Sequence, residues 1–176
     1  MSLKTIGYEG ARIDDFIATL KLASVDIVLD VRELPISRRK GFSKSALQAH
    51  LSEAGIEYVH LKGLGDPKAG RDAARSGDWA TFRAIYGRQI KTPEARSDLE
   101  RAAGLARAKV VCLLCYERSH DLCHRKIVAD KLTSTLQLPV AHLGVREGLA
   151  RNRGRSSNRT GVGPCEGDSA RRKVAW

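Results

Sequence analysis

The chain reads as a single α/β domain, a mainly parallel sheet of about five strands flanked by helices, followed by a basic tail. Three observations predict this. Short β-type runs alternate with helix-length segments between Leu3 and Leu143. Two of those runs, Asp26 to Val31 and Val110 to Cys115, are nearly continuous in apolar residues, as strands covered on both faces are. The 176 residues also suffice for one ordinary core and fall short of two. The domain is expected over 1–145 and a disordered Arg-rich tail over 146–176.

Each element has its own warrant. Leu3 to Tyr8 is a strand that ends in the turn signal Gly7-Tyr8-Glu9-Gly10. Ile13, Phe16, Ile17 and Leu20 recur at helical spacing. The second strand, Asp26 to Val31, places Asp30 at its carboxyl end, and a polar loop from Arg32 to Phe42 follows. Ser43 is the expected N-cap of a helix through Ala54, with Gly55 as its stop. Ile56 to Leu61 alternates as a third strand. The segment from Gly63 to Gly77 is poorly periodic and reads as loop.

Asp78 caps a helix carrying Phe82, Ile85, Tyr86 and Ile90, and Thr92-Pro93-Glu94 opens another that runs to about Ala106. Val110 to Cys115 is the fourth strand. A helix capped by Asp121 then runs to Leu136, and Leu138 to Leu143 is the last strand. Right-handed crossovers put the carboxyl ends of all these strands on one edge.

Composition narrows the function classes. No apolar run approaches the ~20 residues of a membrane span, and the start of the chain has no signal-peptide core. A cytoplasmic location is therefore expected, with Cys112, Cys115, Cys123 and Cys165 as reduced thiols. The 31 basic and 20 acidic residues give a formal charge of +11. Seven basic and three acidic residues from Glu147 onward account for +4, so the folded part carries +7. This balance suits a nucleotide or nucleic-acid partner, and also a merely solvated basic surface.

The polar residues collect on the ligand-binding edge of such a sheet. Tyr8 and Glu9, Asp30 and Arg32, His60, and Cys115-Tyr116-Glu117 all sit at strand ends. Cys123 in the first turn of a helix, beside His124 and Arg125, is expected to be a stabilised thiolate and a nucleophile. Arg125 is alternatively an anion holder at that helix start. The loop Ser37-Arg38-Arg39-Lys40-Gly41-Phe42-Ser43-Lys44 surrounds one aromatic with cations, which suits phosphate gripping with Phe42 stacking on a base.

Zinc is disfavoured at Cys112-x-x-Cys115, because strand residues three apart face opposite ways. A smaller set of His120, Cys123 and His124 stays open. So does a Cys115–Cys123 redox pair, although a reducing cytosol argues against it. No metal and no cofactor are expected, and no phosphate-loop, dinucleotide or zinc-protease motif occurs.

Six motifs in series, Gly7-Tyr8-Glu9-Gly10, Asp30-Val31-Arg32 with Pro35-x-Ser37-Arg38, Gly41-Phe42-Ser43-Lys44, Leu64-Gly65, Leu114-Cys115-Tyr116-Glu117 and Cys123-His124-Arg125, resemble the family called domain of unknown function 488. The resemblance spans roughly 3–143. It implies a compact Rossmann-like α/β domain. It marks Tyr8, Glu9, Asp30, Arg32, Ser37, Arg38, Cys115, Glu117, Cys123, His124 and Arg125 as motif positions, and assigns no chemistry. One departure is visible: Leu64-Gly65-Asp66-Pro67 leading to Arg71 replaces a fuller Gly-Gly-Arg-like element.

The expectation that follows is an enzyme or sensor acting on a nucleotide or nucleic-acid phosphate. Cys123, Glu117, Glu9, His124 and Tyr8 are its catalytic candidates. Asp30, Arg32, Ser37, Arg38, Arg125 and Cys115 are its binding candidates. The alternatives are a non-catalytic nucleic-acid-binding module and a thiol redox or metal-thiol protein.

Overall fold

The computed structural model describes residues 2–151. Its strands are β1 (Leu3–Gly7), β2 (Ile27–Asp30), β3 (Glu57–His60), β4 (Val111–Cys115) and β5 (Val140–Leu143). They form one all-parallel sheet in the order β3-β2-β4-β1-β5. Six helices connect them: α1 (Ile13–Leu22), α2 (Lys44–Glu53), α3 (Lys68–Arg75), α4 (Trp79–Gln89), α5 (Pro93–Ala106) and α6 (His124–Leu136). A 3-10 turn covers Lys62–Leu64. The expected α/β class and its parallel five-stranded sheet are what the chain forms.

The connection from β2 runs outward to β3, while that from β4 runs the other way, past β1, to β5. Neighbouring strands whose connections diverge leave a crevice outside their carboxyl ends, and parallel sheets bind ligands there. In this fold the crevice lies at Asp30–Val31 and Cys115.

The pleat sorts the core into two layers. Val28, Cys112 and Leu114 face α1 and α2, packing with Phe16, Leu20, Phe42, Leu47 and Leu51. Ile27, Leu29, Val111, Leu113 and Cys115 face the other layer, with Phe82 and Tyr86 of α4, Ala102 of α5 and Val128 of α6. Cys112 and Cys115 therefore lie on opposite faces, as their spacing predicts.

Helix ends follow local chemistry. Asp78 accepts from the Thr81 amide and Thr92 from the Ala95 amide, so both expected caps form. Ser43 is the N-cap of α2 without a side-chain cap bond, and Gly55 beyond its end takes a left-handed φ of 73°. Two expectations change. The segment read as loop contains α3, which buries only Gly70 and Ala73 and so leaves little apolar periodicity in the sequence. The N-cap of α6 is Cys123, not Asp121, which is exposed.

The start of the expected tail is held in place. The Arg146 amide donates to Thr19 Oγ1 at 3.1 Å, and the Gly148 and Ala150 amides to the Asp15 carboxylate at 3.0 Å each. Residues 152–176, with Cys165 and the expected tail beyond 151, lie outside the described residues. No described helix is long and apolar enough to cross a membrane.

Candidate functional site

The expected single pocket divides into two clusters. The first belongs to the α1/α2 layer. Arg32 grips Asp30 with two prongs, Nε to Oδ1 at 2.8 Å and Nη2 to Oδ2 at 2.6 Å. Its Nη1 donates to the Tyr8 hydroxyl and to the Phe42 carbonyl, both at 2.9 Å. The Tyr58 hydroxyl donates to Asp30 Oδ2 at 2.7 Å. Asp30 and Arg32 are both buried, at 0% and 5% exposure, so every nitrogen of this guanidinium is used inside the protein.

Burial by itself disfavours the Arg32 charge, but Asp30 and Tyr8 outweigh it and raise its pKa. Tyr58 is raised too, by burial first and the Asp30 carboxylate second. Arg32 is thus a structural tie and not a free anion holder. Phe42 is no base-stacking platform either. It is fully buried, stacked on Tyr8 at 4.4 Å and edge-on to Phe16 at 5.2 Å.

The second cluster lies on the α4–α6 layer. Cys115 ends β4, Cys123 caps α6 and His124 opens it; all three are 4–5% exposed. Both sulfurs stand 3.1 Å from one atom, Glu117 Oε2. Cys115 Sγ is 3.8 Å from His124 Nδ1 and 3.9 Å from Nε2, and Cys123 Sγ is 4.0 Å from Nδ1. His124 Nε2 lies 2.8 Å from the Val31 carbonyl and must donate to it, which leaves Nδ1 as the ring nitrogen able to take another partner. Tyr86 packs against this ring at 5.2 Å and donates its hydroxyl to the Leu64 carbonyl.

The electrostatics correct one expectation. Burial pushes the Cys123 thiol well above its ordinary value and raises Cys115 as well. Cys123 is buried against the Cys115 sulfur, and those effects exceed the pull of His124 and the helix terminus. At rest both thiols are protonated donors. Burial works against the Glu117 charge, but the two S–H bonds more than offset it and hold the carboxyl below its usual range. His124 also loses by burial, yet Cys123, the Val31 carbonyl and Glu117 lift it to about 9. Cys112, on the other face, is core; burial takes it to about 12.

Other candidates have structural posts. Arg125 is 1% exposed and donates to the main-chain carbonyls of Glu117 and Arg118, so it fixes that loop and holds no anion through those nitrogens; its Nε is buried without a partner among the described residues. A side chain at Gly7 would put its Cβ 1.8 Å from the Glu117 carbonyl, so only glycine lets β1 pass beneath this loop. Glu9 accepts from the Arg118 amide at 3.0 Å. Ser37 accepts from the Arg39 amide at 3.1 Å, closing a turn that leaves Arg38 exposed. His120 stacks on His142 at 3.6 Å and stays out of the thiol cluster.

Asp66 was not among the sequence candidates. It is buried, its Oδ1 has no partner among the described residues, and burial raises its pKa to about 6 against the pull of His124 and Arg71. Its field also reaches Tyr86, so it borders the thiol cluster. The only hint in the sequence was its place in Gly65-Asp66-Pro67.

The family model described as Domain of unknown function DUF488 matches residues 12–132. That span holds Asp30, Arg32, Asp66 and the whole stretch from Cys115 to Arg125, and stops short of Tyr8 and Glu9. No curated protein matches the chain, and no solved structure does.

Proposed function

Since the chain belongs to the DUF488 domain family, a description that names no reaction, we propose from the site alone that it is a thiol–disulfide redox protein working through Cys123 and Cys115. One observation carries this reading: both sulfurs converge at 3.1 Å on the same carboxylate oxygen of Glu117. Buried, protonated thiols are slow nucleophiles, so a base within hydrogen-bond reach is what they need, and Glu117 is that base. Transient catalytic or sensing pairs are also the kind of cysteine pair found in a reducing compartment.

The steps balance. Glu117 takes the Cys123 proton, and the thiolate attacks one sulfur of a small disulfide, whose other half leaves as a thiol carrying that proton. Cys115 then displaces the second half by the same proton route. The products are a Cys115–Cys123 disulfide and two small thiols; two electrons pass from the protein pair to the substrate.

The test is mass spectrometry and thiol counting after exposure of the folded protein to oxidised glutathione. The expected result is an intramolecular Cys115–Cys123 link in the wild type and a trapped mixed disulfide on Cys123 in Cys115→Ala. Retention of both thiols, or glutathione on Cys112 first, defeats the reading.

A second reading is favoured by the exposed cations. It keeps the nucleotide or nucleic-acid partner and moves it from the buried arginines to Arg38, Lys40 and Lys44, with Tyr116 (43% exposed, edge-on to Tyr8) nearby. Single-strand binding that weakens steeply between about 50 and 200 mM salt supports it, and a flat response removes it.

A further inference from the structure

The thiol cluster also has the composition and shape of a metal site. Two sulfurs and one imidazole nitrogen, from Cys115, Cys123 and His124, offer ligand atoms that all lie within 4.8 Å of one another. In a tetrahedral zinc site, bonds of about 2.3 Å to sulfur and 2.0 Å to nitrogen put neighbouring ligand atoms about 3.5 Å apart. The sulfur to Nδ1 separations of 3.8 and 4.0 Å are within about half an ångström of that spacing, and because the Cys115 sulfur is equally far from Nε2, at 3.9 Å, the imidazole must turn for Nδ1 to face the ion.

Two further features point the same way independently of the thiols' proximity. The Nε2 of His124 is tied to the Val31 carbonyl at 2.8 Å, the outer hydrogen bond by which proteins orient a metal-binding imidazole and raise its basicity. The Glu117 side chain, in turn, is met by two S–H groups and its own main-chain amide. Thiols are weak donors, and a carboxylate this close to two sulfurs is better matched by a cation.

We propose that Cys115, Cys123 and His124 Nδ1 bind one divalent ion of the zinc class, with Glu117 Oε2 close beside both sulfurs. Two thiolates and an imidazole select zinc-class ions over magnesium or calcium, which take oxygen donors. Binding exchanges two S–H bonds and the Nδ1–H bond of the protonated imidazole for two metal–sulfur bonds and one metal–nitrogen bond, and releases three protons to solvent. The ligands sit on a strand end and a helix start, so little chain must be ordered for the ion to enter. This revises the expectation of no metal and replaces His120 with Cys115 in the ligand set. The inference rests on the cluster being the working centre, and a bound ion would mask the thiols that the redox reaction uses.

The experiment is titration of the reduced, chelator-stripped full chain with Co²⁺ and then Zn²⁺. The expected result is one ion per chain, with sulfur-to-cobalt charge transfer and tetrahedral ligand-field bands that Zn²⁺ abolishes. Cys112→Ala should keep this behaviour, Cys123→Ser and Cys115→Ser should lose the charge-transfer band, and Glu117→Gln should bind about 10–100-fold more weakly. A Zn²⁺-dependent rise in Tm in wild type and Cys112→Ala, absent from Cys123→Ser, gives a second readout if a cysteine variant folds poorly. Substoichiometric binding, octahedral spectra, or equal binding by Cys123→Ser overturns the metal site. Disulfide formation without metal binding spares the redox reading alone, and metal binding without a disulfide spares the metal site alone.

Discussion

Two polar clusters sit at the same sheet edge, on adjacent strands, and they are built in opposite ways. Around Arg32 each charged atom has a strong partner: two carboxylate oxygens, a phenol and a carbonyl. Around Glu117 a carboxylate is met by two thiols and its own amide, with an Asp66 oxygen nearby that has no partner among the described residues. A closed set of strong bonds leaves nothing to offer a ligand, whereas a cluster of soft, under-satisfied donors does. The lesson is that the richer-looking charge pair holds the fold, and the weaker-looking thiols are the better place to look for chemistry.

That contrast can be broken by mutation. Arg32→Ala leaves Asp30 buried and unpaired, and should cost about 3–5 kcal/mol in urea unfolding. If it costs less than about 1 kcal/mol, the first cluster is not a structural tie. Gly7→Ala forces a Cβ into the Glu117 carbonyl and should cost about 1–3 kcal/mol while slowing thiol oxidation, since both clusters border that loop. Cys115→Ala should cost only about 1 kcal/mol yet abolish disulfide formation, the reverse of the Arg32 result. The same denaturation and thiol assays read both.

Two titrations sharpen the comparison further. Asp66 has a folded pKa of about 6, above its ordinary 3.8. The folded state therefore holds its proton longer, and stability is full below about pH 4 and falls as pH rises through about 6. Asp66→Asn should remove that fall, on the order of 2 kcal/mol, when unfolding is compared at pH 4 and pH 7. Asp15 goes the other way. The Ala150 and Gly148 amides hold it below 3.8, so its contribution is present above that value and lost as pH falls through the lower folded pKa. Amide exchange at Gly148 and Ala150 should speed up there, and in Asp15→Asn at any pH.

The fold was legible because its strands are apolar runs with turn signals, and because Asp78 and Thr92 announce their helices. The α3 helix was not, since the face it buries is made of small residues, Gly70 and Ala73, with no large apolar side chain to mark it. At the site, Cys115, Glu117, Cys123 and His124 were all visible as residue types. What sequence could not show was which face each side chain takes. Asp30 and Arg32 are two residues apart and close on each other, which spends the charge that made them look like a binding pair. The thiolate expected at Cys123 failed because desolvation depends on what covers the sulfur, and neighbouring letters do not report that. Asp66 escaped notice because its burial comes from Gly70, whose missing side chain leaves room for the carboxyl; a Cβ there would fall 2.1 Å from Oδ1.

The grip of Asp15 on Gly148 and Ala150 fixes more than a turn. Glu147 lines a small surface notch with Gly7, Glu9 and Arg118, so the polypeptide departs from the same rim that carries the thiols. One carboxylate is therefore the latch that keeps Gly148 and Ala150 at this rim, and its protonation lets both amides go.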